Sequence, residues 1–170
     1  MTPRRAILVC ALGSTGVLAL ACGHGHTPLY IWNASASVPL GLYSLHPSKV
    51  RHVGELVAVL PPDPLASFLA DRSYLPRGVP MLKHVLALPG QVVCRVRLSI
   101  FVDAVAVGVA RERDSRGRPL PVWQGCRVIA ADEVFLMNWQ SADSFDGRYF
   151  GPISSSAVLA RAQPVWIEKE

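Results

Sequence analysis

The chain has 170 residues, 51% hydrophobic and 17% charged, with 14 prolines, 13 glycines and a formal net charge of +5. That length supports one ordinary domain with a real core, and the apolar content excludes a disordered chain. No fixed period suggests a fibrous or repeat architecture, and the scattered basic residues exclude a nucleic-acid footprint from the expected partners.

From Ala6 to Cys22 the sequence reads AILVCALGSTGVLALAC, seventeen residues without a charge, behind the basic pair Arg4 and Arg5. A transmembrane helix needs roughly 17–25 residues, so this run is at the short limit. Three readings compete: a retained anchor, a signal peptide cleaved near Ala-Leu-Ala, and lipoprotein processing at Cys22. The charge-free length and basic flank favour the anchor, with the N-terminus in the cytoplasm. The expected organisation is residues 1–25 as anchor or signal segment and residues 26–170 as an exported domain. It is expected in the cytoplasmic membrane with the domain in the periplasm, or free in the periplasm if the segment is removed. Lipid headgroups are then a partner, which suits the mild positive excess.

Cys10 and Cys22 belong to the apolar segment, which leaves Cys94 and Cys126 as the pair in the exported part. In an oxidising compartment that pair is expected to form a disulfide, the alternative being two buried thiols.

The exported part is dominated by short Val-, Leu- and Ile-rich runs at Glu55–Leu60, Leu82–Leu88, Val92–Leu98, Ser99–Val109, Arg127–Ala130, Glu133–Trp139 and Ala157–Ile167. Pro, Gly and Asp separate them, and a hairpin turn is expected at Asp103-Ala104. One helix is expected over Pro64–Arg72, with Asp63 as N-cap and proline at the first helical position. This pattern predicts a mainly β fold, a folded or barrel-like sheet with one or two short helices.

Few nucleophiles come with a partner. On residue identity alone Ser37, in NASASVPLGLY, reads as a loop serine before a strand. Lys83 is out of character in VPMLKHVLALPG, because alternation places it with Met81, Val85 and Ala87 on an apolar face. Burial there disfavours the ammonium. Lowering its pKa from about 10.4 to near 7 takes roughly 4–5 kcal/mol, a plausible size for a buried group. A neutral amine of this kind can act as general base toward a serine. The third cluster, Ser141–Ile153, holds two carboxylates, Arg148 and three aromatics; composition alone makes it a polar loop with Asp146 and Arg148 as a surface pair.

Together SASVPLGLY, LKHVLALPGQ and SFDGRYFGPI, in that order behind an apolar N-terminus, resemble the Ser/Lys signal peptidases. The resemblance covers essentially the whole chain and points to their conjugative-transfer branch, the TraF-type pilin-maturation peptidases. It implies Ser37 as nucleophile, Lys83 as base and the Ser35 hydroxyl as an oxyanion donor beside the Ser37 N–H. Ser144, Asp146 and Arg148 match residues that hold the lysine. A bare Asp146 carboxylate against Lys83 would favour the ammonium, so its charge should be taken by Arg148, leaving Ser144 as the neutral partner. Val38-Pro39 and Gln91 depart from the general signal peptidases, as expected of the transfer branch. The resemblance further implies no metal or other cofactor, an exported pilin-like precursor as substrate, and association with a conjugative transfer apparatus. An acyl-enzyme would be resolved by water or by an amine, the latter giving a cyclic product.

Competing readings are a Ser37–His84–Asp143 triad, disfavoured because His84 alternates away from Lys83, and a metal site from Cys22, His24 and His26, which lacks further ligands. A self-cleaving repressor with the same dyad is disfavoured because an anchor stands where a DNA-binding helix pair would. The remaining functional class is a non-catalytic, membrane-anchored component of a conjugation or secretion apparatus.

Overall fold

The computed structural model describes residues 28–47 and 52–168, together with helical positions 5, 7 and 10–15. The Ala6–Cys22 run, His24 and His26 fall largely outside the described residues. Among those described, no helix is long and apolar enough to cross a membrane.

The described chain is mainly β. In chain order it forms β1 (Tyr30–Asn33), β2 (Gly41–His46), β3 (Leu56–Val59), helix α1 (Leu65–Asp71), β4 (Met81–Ala87), β5 (Val92–Val96), β6 (Ser99–Val102) and β7 (Val105–Val109). There follow β8 (Gly125–Val128), β9 (Glu133–Leu136), the one-turn helix α2 (Gly147–Phe150), β10 (Ile153–Ser154) and β11 (Val158–Ile167). Seven strands form a sheet in the order β1-β2-β11-β3-β4-β9-β10, and four form a second in the order β7-β6-β5-β8.

Strand β4, near the middle of the larger sheet, sends residues of opposite parity into different apolar clusters. Leu82 packs with Val38, Tyr43, Leu45 and Ala162. Val85 packs with Val57, Val59, Leu136 and Ile153, and Met81 joins them from the rim. Burying each such side chain stabilises the fold by roughly 1.5–3 kcal/mol. The β1–β2 loop is closed by β11, where a Cβ on Gly41 would lie 2.1 Å from the carbonyl oxygen of Trp166. Only glycine permits that approach.

Asp103 and Ala104 form the expected hairpin turn, both with positive φ (47° and 66°). The Asp103 carboxylate accepts from the Val92 amide and the Gln91 side chain, each at 2.8 Å, which secures a turn built without glycine. Strand β8 starts two residues before the expected run at Arg127, because pairing with β5 sets Cys126 opposite Cys94. The two cysteines form the disulfide.

Helix α1 departs from expectation at its start. Pro64 occupies the N-cap position, and no side chain caps the helix. The Ala66 amide is satisfied by the Pro62 carbonyl at 3.0 Å, so the Asp63 carboxylate turns to the Ser67 hydroxyl at 3.0 Å. The polar run at Ser141–Ile153 is also more than a loop, since it contains α2 and ends at the first residue of the short strand β10.

Candidate active site

Two segments carry the residues expected from sequence to react. The first is the loop between β1 and β2. Its serines are held by Asn33, the last residue of β1, which is 7% exposed. The Asn33 amide nitrogen donates to the carbonyls of Ser35 (2.8 Å), Val38 (3.0 Å) and Pro39 (3.0 Å). Its Oδ1 accepts from the Ser35 amide (3.3 Å) and the Ser35 hydroxyl (3.1 Å). Val38 plugs the loop into the apolar cluster beneath, and the Tyr43 hydroxyl donates to the Pro39 carbonyl at 2.7 Å. Ser35 Oγ lies 3.2 Å from Ser37 Oγ. With the Ser35 proton directed to Asn33, the Ser37 hydroxyl is the donor in that pair.

The second segment is β4. Lys83 is 4% exposed, and its Nζ donates to Ser144 Oγ at 2.8 Å. Burial lowers its pKa from 10.5 to about 8; Asp146 opposes that shift and Arg148 assists it. Ser144 is itself buried. Ser37 Oγ and Lys83 Nζ are not hydrogen-bonded to each other in this structure.

The neighbouring carboxylate is fully occupied by other donors. Asp146 Oδ1 accepts from the Arg148 amide (3.1 Å) and Nε (2.9 Å); Oδ2 accepts from Arg148 Nη2 (2.8 Å) and the Asn138 amide (3.0 Å). The pair is buried, with side chains 2% and 0% exposed, so it is not the surface pair that composition suggests. The Arg148 guanidinium also donates to the carbonyls of Ser141 (2.7 Å) and Ser144 (3.1 Å), which fixes the segment carrying Ser144. Burial works against its charge, but Asp146 outweighs that and raises its pKa. Asp146 caps α2, and Gly147 lets α2 lie on β9: a Cβ there would stand 2.6 Å from the Leu136 carbonyl oxygen. Arg95 on β5 and Trp123, just before β8, hold α2, donating to the carbonyls of Arg148 and Gly147.

The triad alternative is not assembled. His84 lies against Trp139, ring centroids 4.7 Å apart, with its Nδ1 3.1 Å from Asn138 Oδ1. Burial, ahead of the nearby Lys83 charge, lowers its pKa, while Asn138 opposes this. Asp143 instead forms an exposed ion pair with Arg111. Among the described residues no group of three His, Cys, Asp or Glu could hold a metal ion; Cys22, His24 and His26 lie outside them.

Asn33, Asn138 and Arg95 were not among the residues singled out from sequence. The available signals were a polar residue closing each of two apolar runs, YIWN and VFLMN, and an arginine within VVCRV.

Residues 4–167 match the family described as signal peptidase, peptidase S26. The chain belongs to that family. A conjugal transfer protein TraF of Agrobacterium fabrum is 37% identical over 172 residues, covering 91% of this chain and 93% of the relative. A probable conjugal transfer protein TraF of Sinorhizobium fredii is 38% identical over 146 residues, covering 80% and 76% respectively. A plasmid transfer protein TraF of Escherichia coli is 33% identical over 165 residues, covering 91% of each chain. A signal peptidase I structure from Enterococcus faecalis is 15% identical with a TM-score of 0.39, covering 66% of this chain and 97% of that one.

Proposed function

We propose that this chain is a membrane-anchored serine endopeptidase with a Ser37–Lys83 dyad. It matures an exported precursor, a conjugative pilin, at the outer face of the cytoplasmic membrane. The observation that carries the reading is Lys83: buried, bonded to a neutral hydroxyl, and with a pKa lowered to about 8.

In this mechanism Ser37 Oγ attacks the scissile carbonyl while Lys83 Nζ takes its proton. The Ser37 N–H and the Ser35 hydroxyl receive the developing oxyanion, and one such donor is typically worth roughly 3–4 kcal/mol. Ser35 can rotate its proton from Asn33 to the oxyanion as Ser37 gives up its own. The protonated Lys83 then returns its proton to the leaving amine, and water or an amine resolves the acyl-enzyme. Catalytic hydrogen bonds are often long in a substrate-free site and tighten when substrate closes it, which accommodates the separate Ser37 and Lys83 bonds seen here.

The charge-free run behind Arg4 and Arg5 supports the membrane location. So do Trp32 on β1 and Trp166 on β11, which stack with centroids 5.7 Å apart and are 59% and 55% exposed. Exposed, paired indoles of this kind suit a lipid headgroup layer.

The test is mass analysis of the pilin precursor after incubation with the full-length protein or with Ser37→Ala. Loss of the leader with the wild type alone supports the assignment, and the product mass shows whether water was added. Continued processing by Ser37→Ala overturns it.

A further inference from the structure

Asn138 is the second residue past the end of β9 and is 2% exposed. The β4–β9 ladder is irregular between Val85 and Ala87, and β9 ends at Leu136, short of the Lys83 stretch of β4. The Met137 amide still reaches the His84 carbonyl at 2.9 Å. Beyond it the Asn138 side chain takes over: its Nδ2 donates to the Leu82 carbonyl at 3.1 Å, and its Oδ1 accepts from the His84 amide at 3.0 Å. One carboxamide therefore holds the backbone on both sides of Lys83, as the peptide group of a continuing strand would. Its own backbone amide donates to Asp146 Oδ2. Asn138 is thus joined to the strand that carries the amine and to the ion pair that fixes the Ser144 segment.

We infer that Asn138 is a positioning residue for the amine: its side chain replaces the missing strand neighbour of Lys83 and sets where Nζ stands relative to Ser144. This rests on the dyad reading above. The geometry explains why an asparagine suits this position. Leucine would leave the Leu82 carbonyl and the His84 amide unpaired, and aspartate could satisfy only the second.

The groups that bear on Lys83 are few. Asp146 and Arg148 come from the α2 side, and His84 is its neighbour on β4. Strand β3 has no titratable residue. Glu55, just before it, accepts from the His52 amide. On β11 the exposed Arg161 lies in the same cross-strand row, separated from Lys83 by Val57. Strand β9 has only Glu133, engaged by Arg127 at its far end.

The chain has three lysines, Lys49, Lys83 and Lys169. Full-length protein labelled at lysine Cε therefore gives three carbon resonances, and Lys83→Met assigns the one that titrates low. In Asn138→Ala the Lys83 strand loosens and water reaches the amine, so its pKa should rise by about one unit, and kcat for the pilin precursor should fall at least tenfold with KM little changed. Asn138→Asp keeps the shape and the acceptor arm but adds a charge; it should raise the Lys83 pKa further and move the acid limb of kcat/KM by the same amount. If both variants only melt earlier, with the Lys83 resonance and the acid limb unmoved well below melting, Asn138 merely stabilises the sheet and the inference is wrong. Should Asn138→Ala not fold, Asn138→Asp decides by the same two readouts. Failure of the dyad itself reads differently, as continued processing by Lys83→Met whatever the Asn138 variants do.

Discussion

Lys83 Nζ donates to the hydroxyl of Ser144 rather than to the carboxylate of Asp146, although Asp146 is only two residues further along the chain. The difference decides what the amine can do. A lysine paired directly with a carboxylate is held as ammonium, whereas one bonded to a hydroxyl in an apolar setting gives up its proton more readily. Arg148 makes this possible by engaging Asp146 through Nε and Nη2 together. Bidentate pairs of this kind are the stronger form of charge-assisted hydrogen bond.

The first prediction concerns pH. Lys83 must be neutral to accept the Ser37 proton, so kcat/KM should rise about tenfold per pH unit toward a limb near pH 8. For stability, the folded pKa lies below the unfolded value of 10.5. The unfolded chain therefore binds more protons between about 8 and 10.5, and native stability gains as pH rises through that window. Below it, burying the ammonium costs about 3 kcal/mol, an order-of-magnitude figure. Lys83→Met should be inactive yet more stable than wild type at pH 7, with the difference shrinking above pH 8. Chemical denaturation across that range checks it; an active Lys83→Met, or one that melts far below wild type, removes lysine from the mechanism.

Ser144→Ala separates orientation from basicity. Deleting the hydroxyl leaves the buried Nζ without that partner, which costs roughly 1–3 kcal/mol of stability. The ammonium loses more than the amine, so the Lys83 pKa should fall while kcat drops roughly 100-fold because the base is no longer aimed. A slower enzyme whose acid limb has moved to lower pH is the expected result. An unchanged rate would show that Ser144 does not position the lysine.

Arg148→Ala should move the limb the other way. It leaves Asp146 buried and uncompensated, which typically costs 3–5 kcal/mol when one member of a buried pair is removed. The freed carboxylate would then stabilise the Lys83 ammonium, and the acid limb of kcat/KM should shift above pH 8. Denaturant titration and a pH profile, run where the variant is still folded, measure both effects. A limb that does not rise would mean Arg148 does not shield Lys83 from Asp146.

Much of this arrangement was legible before the structure. The period-two alternation through MLKHVLA placed Lys83 among apolar neighbours and turned His84 away, and β4 has that form. The Asp103-Ala104 hairpin was legible from its flanking strand pattern, and the Cys94–Cys126 pairing from the two cysteines left outside the apolar segment. Asn33 and Asn138 were not, because a side chain that bonds backbone carbonyls and amides, whether of its own loop or of another strand, leaves no periodic trace in sequence. The burial of Asp146 and Arg148 escaped composition for a related reason. A charged, glycine-containing run looks solvated until neighbouring segments cover it, here through Arg95 of β5 and Trp123 ahead of β8. Asp63 misled as a cap because backbone from Pro62 had already satisfied the amide that it would have bonded.

The last prediction concerns the disulfide. Cys94 and Cys126 face each other across β5 and β8, 32 positions apart in sequence, on the smaller sheet. Closing a loop of that size restricts the unfolded chain and should stabilise the fold by about 3–4 kcal/mol in the chain-entropy model. The sheet and the segment leading into it also reach the site: Arg95, next to Cys94, donates to the Arg148 carbonyl, and Trp123, ahead of β8, donates to the Gly147 carbonyl. Those contacts come from the β5 strand and the 119–124 segment, which the β5–β6 ladder and the Arg95 bond to the Pro121 carbonyl still hold when the sulfurs part. Reduction, or a Cys94→Ala/Cys126→Ala double variant, should therefore lower the melting temperature by several degrees while the acid limb set by Lys83 stays in place. Thermal melts with and without reductant, paired with pH profiles of pilin processing, measure the two effects separately. Labelling of both thiols by an alkylating reagent in native, unreduced protein would show that the bridge is absent, and a displaced acid limb in the double variant would show that it helps to hold the site.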